Sequence, residues 1–125
     1  MIYGYARVST YTQAADGNGL AAQRAALEAA GATSIFEESF TGTANNRPEL
    51  QKLLEKLVDG DTIVVTKLDR IARSARKGLE LIDELNAKNI KVQILNMGII
   101  DNTSVGKSLR KMMLGFAEFE RDLIV

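Results

Sequence analysis

The run Thr62-Ile63-Val64-Val65-Thr66 constrains the fold more than any other part of the chain. Five consecutive β-branched residues favour a strand, and three adjacent aliphatic ones leave no polar face. Such a strand is buried on both sides, as in a parallel sheet covered by helices. The flanking sequence supplies the helices. Pro48 suits the first turn of a helix running to Asp59, with Leu50, Leu53, Leu54 and Leu57 inward. A second helix runs from about Ser74 to Asn89, with Ala75, Leu79, Ile82 and Leu85 as its core stripe. Ile2 to Val8 and Ile90 to Leu95 read as further strands, and Ser34 to Glu38 as a weaker one. Leu20 to Ala30 reads as a helix stopped by Gly31, Gly98 to Ser104 as a loop, and Val105 to Val125 as one final helix. The expected fold is α/β: a central, mostly parallel sheet with helices on both faces and a long C-terminal helix leading outward.

At 125 residues the chain is expected to form one domain over 1–125. No apolar run is long enough to span a membrane, and Met1 to Arg7 lacks the layout of a signal peptide. A cytoplasmic setting is expected. The chain has no Cys and no His, which excludes thiol catalysis, zinc fingers, Ser-His-Asp triads and imidazole acid/base chemistry. Any catalysis falls to Ser, Thr, Tyr, Asp, Glu, Lys or Arg. Lys+Arg and Asp+Glu both number 16, yet the balance is uneven along the chain. Residues 1–66 carry five basic and eight acidic side chains, and residues 67–125 carry eleven and eight. A zero net charge therefore does not exclude a polyanion as partner.

Polar residues gather at three strand exits, where open α/β sheets build their sites. They are Arg7 to Thr10, the loop Thr41 to Arg47, and Lys67 to Lys77, which holds five basic residues and one acid. Alternation puts Arg7 and Ser9 on one side of the first strand. A serine beside several guanidiniums is a plausible nucleophile for phosphate chemistry, because fixed arginines stabilise the charge that grows on the phosphate oxygens during attack. Taken alone, each cluster also reads as an ordinary solvated strand end or charged helix face. Gly106-Lys107-Ser108 imitates a phosphate-binding loop, but Asp101 stands where that motif needs glycine. No acidic pair at a strand end suggests a metal, and no cofactor is expected. The final helix is apolar on more than one stripe. Met112, Met113, Phe116 and Phe119 are candidates for contact with a partner subunit.

The motifs Tyr5-Ala6-Arg7-Val8-Ser9-Thr10, Lys67-Leu68-Asp69-Arg70-Ile71-Ala72-Arg73-Ser74 and Glu118-Phe119-Glu120-Arg121 together resemble the serine recombinase family, which includes resolvases, invertases and large serine integrases. The resemblance implies the family's catalytic domain over the whole chain. It implies DNA as substrate, with Ser9 attacking a phosphodiester to leave a 5′-phosphoserine link and a free 3′-hydroxyl. Arg7, Arg47, Arg70 and Arg73 match the family's arginine cluster, and Asp69 its partner acid. Gln13, Gln23, Thr41 and Lys56 match supporting positions. Glu120 and Arg121 match a pair that serves subunit contacts in a dimer or tetramer. The acceptor of the Ser9 proton stays open between Asp69 and an arginine-bound water. The resemblance also implies that the last helix is truncated and that a DNA-binding domain is missing. Residues 14–22 look more like the large integrase arrangement, and Glu38 stands where Asp is commoner. Two other readings are a small nucleotide-binding enzyme and an inert dimerising module. The first predicts mononucleotide binding, and the second leaves the Arg7, Ser9, Arg47, Arg70 and Arg73 set without a purpose.

Overall fold

A computed structural model describes residues 1–9, 19–40, 47–72 and 74–123, and of residues 8, 9, 39, 40 and 120–123 the backbone alone. Strand β1 (Ile2–Ser9) is followed by α1 (Leu20–Ala29), β2 (Ser34–Phe40), α2 (Pro48–Lys56) and β3 (Thr62–Val65). A 3₁₀ turn (Leu68–Arg70) then leads to α3 (Ala75–Ala87), β4 (Lys91–Ile94), β5 (Gly98–Ile100) and α4 (Ser104–Leu123). The sheet order is β2-β1-β3-β4-β5. All neighbours run parallel except β4 and β5.

β3 is buried on both faces, as its composition requires. Ile63 and Val65 join the larger core with Leu50 and Leu53 of α2, Ile82 and Leu85 of α3, and Met113 of α4. Val64 faces the other way, with Ala6 of β1 and Leu27 of α1. Three helices thus cover one face and α1 the other. Asn89 closes α3 with a left-handed backbone (φ 59°). The Ile90 N–H then donates to the Leu85 carbonyl at 2.9 Å, which satisfies one of the helix's orphan carbonyls.

Two boundaries differ from the sequence reading. α2 stops at Lys56 instead of Asp59, because Leu57 turns extended and still buries its side chain in the larger core. The expected loop from Gly98 contains a strand. β5 pairs antiparallel with β4 through a tight turn in which the Met97 N–H donates to the Ile94 carbonyl at 2.9 Å. Gly98 takes φ +133°, which only glycine adopts without strain. With three residues and one buried side chain, Ile100, β5 has no periodicity to read. Among the described residues no helix is long and apolar enough to cross a membrane.

Candidate active site

β1 lies between β2 and β3, so the chain reverses its direction of travel across the sheet at β1. In open α/β sheets that reversal leaves a crevice at the carboxyl ends of the strands. The candidate residues collect there. Ser9 is the last residue of β1, in register with Phe40 of β2. Two residues earlier, Arg7 is buried at 8% exposure and pairs in register with Glu38. β3 pairs with β1 only over Ile2 to Gly4. Beyond that point the buried side chain of Gln23 takes over. Its Nε2 donates to the Arg7 carbonyl and its Oε1 accepts from the Arg7 N–H, both at 3.2 Å. Gln23 thus satisfies the Arg7 backbone groups where β3 no longer reaches.

Arg47 precedes α2, with Pro48 opening the helix. Its Nη1 donates to the Ile71 carbonyl at 2.5 Å, which ties the start of α2 to the turn after β3. That turn carries Asp69 and Arg70. Asp69 is exposed, and its Oδ1 lies 3.5 Å from Arg70 Nη1. The Arg70 side chain is only 19% exposed, and its Nε has no hydrogen-bond partner among the described residues. That Nε is itself buried out of reach of solvent, so the guanidinium is fixed in place within the fold beside the exposed Asp69.

A buried polar pair lies close to Arg7 and Arg47. The Tyr5 hydroxyl, fully buried, donates to Glu38 Oε1, and Glu38 Oε2 accepts from the Glu49 N–H of α2 at 3.2 Å. Burial pushes the phenol well above its ordinary value, and the hydrogen bond and negative charge of Glu38 push the same way. The positive charges of Arg7 and Arg47 pull it down, which places both near the hydroxyl. Tyr5 therefore stays protonated and serves as a donor, not as a nucleophile or base. In the sequence Tyr5 stands only as part of the first motif, and Glu38 only as a position where Asp is commoner. Their pairing depends on the β1–β2 register, which strand alternation alone does not reveal.

The other candidates divide. Lys56 is in the last turn of α2, about 13 Å along the helix from its start. Its Nζ sits 5.8 Å from the centre of the Phe36 ring, away from Arg47. Met113, expected at a subunit interface, is instead buried in the domain's own core at 3% exposure. A helix has one inward stripe, and Met113 and Ala117 occupy it. Met112, Phe116 and Phe119 are 69%, 56% and 57% exposed. Glu120 and Arg121 lie within α4 on described backbone only. Gln13, Thr41, Arg73 and most of the 14–22 segment fall outside the described residues.

The family description "Resolvase, N terminal domain" matches residues 2–125. The chain belongs to the resolvase N-terminal domain family. It is 43% identical over 125 residues to a DNA-invertase of Enterobacteria phage P7, covering all of this chain and 64% of that protein. It is 40% identical over 125 residues to the serine recombinase gin of Escherichia phage Mu, covering all of this chain and 62% of the relative. The resolvase domain thus spans just under two-thirds of the length of these relatives. Among solved structures, the N-terminal catalytic domain of TP901-1 integrase superposes with a TM-score of 0.74 at 30% identity, covering 99% of this chain and 98% of that one. The five-stranded, mostly parallel sheet with four helices is therefore a resolvase-family architecture.

Proposed function

We propose that this resolvase domain cleaves and rejoins DNA at specific sites, with Ser9 as the nucleophile. One observation carries the reading furthest. Arg47 reaches from α2 to the Ile71 carbonyl and so draws the start of α2 and the turn bearing Asp69 and Arg70 together at the exit of β1, where Ser9 lies. In the forward step the Ser9 hydroxyl gives up its proton, to Asp69 or an arginine-bound water, and its oxygen forms a bond to phosphorus as the bond to the 3′ oxygen breaks. The 3′ oxygen leaves with a proton as a hydroxyl, and the reverse step restores the phosphodiester. Phosphoester bonds are conserved, so no high-energy cofactor is required. Arg7, Arg47, Arg70 and Arg73 stabilise the negative charge that develops on the phosphate, worth more in the transition state than in the ground state. Asp69 orients Arg70. Glu38, held by Tyr5, fixes the start of α2 and hence Arg47. Gln23 supports the strand at Arg7, and Gln13, Thr41 and Lys56 serve as supporting residues. The domain works in the cytoplasm as a dimer or tetramer, with Met112, Phe116 and Phe119 of α4 facing a partner subunit and Glu120 and Arg121 contributing to that contact.

The test joins the chain, at its C-terminal helix, to a DNA-binding domain of known target. The DNA carries a 3′-bridging phosphorothiolate at the scissile position, whose thiolate leaving group rejoins poorly and traps the intermediate. A denaturation-resistant protein–DNA adduct is expected on the 5′ end, absent in Ser9→Ala. An adduct that survives Ser9→Ala, or none in the parent, contradicts the proposal.

A further inference from the structure

We propose that Gly78 of α3 is a positioning residue: the space left by its missing side chain seats Leu68, and Leu68 fixes the turn that carries Asp69 and Arg70. The consequence for catalysis rests on the recombinase reading, while the geometry does not. Glycine inside a helix is disfavoured against alanine and calls for a reason. Gly115 of α4 shows none in its surroundings, since a Cβ there would meet nothing within 4 Å. At Gly78 a Cβ would lie 2.7 Å from Leu68 Cδ1, 3.2 Å from Cγ and 3.4 Å from Cδ2. The branch carbon is among the atoms in the way, so turning the terminal methyls relieves the closest contact but still leaves Leu68 to shift by a few tenths of an ångström.

The two sides of this contact differ in how firmly they are held. α3 is pinned in the larger core by Ile82 and Leu85, and the Gly78 N–H donates to the Ser74 carbonyl at 3.0 Å. Leu68 packs against the same core and Ile71 is buried in it, but Leu68, Asp69 and Arg70 form a single short turn with a local set of bonds, whereas α3 runs for thirteen residues. The Leu68 carbonyl accepts from Ile71 at 3.0 Å and Ala72 at 3.2 Å, and the Arg70 N–H donates to Lys67 at 3.1 Å. A side chain added at 78 therefore displaces Leu68 and its turn before it displaces the helix. Three groups of the site ride on that turn: the Asp69 carboxylate, the Arg70 guanidinium and the Ile71 carbonyl that binds Arg47.

The experiment is a double-mutant cycle of Gly78→Ala and Leu68→Ala in the chain joined to a DNA-binding domain, read by adduct rate at saturating DNA and by amide NMR. Each single variant is expected to shift the Asp69, Arg70 and Ile71 amide signals and slow adduct formation, on the order of tenfold to a hundredfold for a misplaced group, with DNA affinity within about twofold. In the double variant the methyl introduced at position 78 enters the room that the shortened side chain at position 68 vacates. That variant is expected to lie closer to the parent than either single variant. Additive losses in the double variant overturn the proposal, as do Gly78→Ala signals and rates that match the parent. If the parent forms no adduct, the recombinase reading fails, and the NMR cycle alone still decides the positioning role.

Discussion

The two ends of the sheet use the same strands and close in opposite ways. At the amino ends, Asp61 is buried just before β3. Its carboxylate accepts from the Val58 N–H at 2.9 Å and from the N-terminal ammonium at 3.1 Å, so its charge is met within the fold. At the carboxyl ends, the described residues bring Arg7, Arg47 and Arg70 together with Glu38 and Asp69. The Arg70 side chain is largely buried, and the acid that pairs with it, Asp69, is exposed. One end is finished as structure, while the other is held rigid but left to meet an anion. A protein that keeps cations together in this way accepts a cost in stability in return for electrostatic preorganisation.

The sharpest way to break this contrast is Arg70→Ala. Removing one fixed donor is expected to slow adduct formation by about 10²–10³-fold, with little change in melting temperature. An equal loss of stability would mean that the carboxyl end is ordinary structure.

Next comes the polar pair close to Arg7 and Arg47. Glu38→Gln removes the charge that binds the start of α2 and is expected to slow adduct formation by about tenfold, within the range seen for misplaced groups. The same pair has a pH signature. The folded Tyr5 phenol titrates above its unfolded value of about 10. Its contribution to stability is thus complete below pH of about 10 and is lost as pH rises toward the folded value. Alkaline unfolding monitored by phenolate absorbance should find Tyr5 ionising only as the chain unfolds, and Tyr5→Phe should remove that contribution. Ionisation of all three tyrosines in the folded chain would contradict the burial argument.

The smallest effect belongs to the finished end. Asp61→Asn is expected to cost about 1.5–3 kcal/mol, the worth of a hydrogen bond to a charged group, and to leave the adduct rate of the folded protein unchanged. The Val58 N–H, followed by the N-terminal ammonium, holds this carboxyl below its ordinary range despite the opposing effect of burial. Its stabilisation is present above the unfolded value and disappears as pH falls through the depressed folded value. Denaturant midpoints of parent and Asp61→Asn should therefore converge in acid and separate toward neutrality.

The same contrast explains what could be read from the chain. β3, α3 and its end at Asn89 were legible because periodicity and residue type are local. Arg7, Arg47, Asp69 and Arg70 were legible as polar groups at strand exits, and the resemblance joined them into one set. The Tyr5–Glu38–Glu49 chain was not, since it links three elements through a register no local pattern encodes. Met113 and Met112 are adjacent in sequence and alike in type, and only the packing of α4 decides which one is buried. The role of Gly78 was hidden for a related reason: an absent side chain becomes informative only once its neighbour, Leu68, is placed.

The central claim is that the carboxyl end of β1 attacks DNA through one oxygen atom, and mass spectrometry of the trapped adduct tests it most directly. Nuclease trimming followed by trypsin should yield the peptide Val8–Arg24 bearing a nucleotide through its 5′-phosphate. That peptide also contains Thr10, Tyr11 and Thr12 as competing hydroxyls. The account predicts that fragmentation places the nucleotide on Ser9. Placement on Thr10, Tyr11 or Thr12, or on any other peptide, would contradict it.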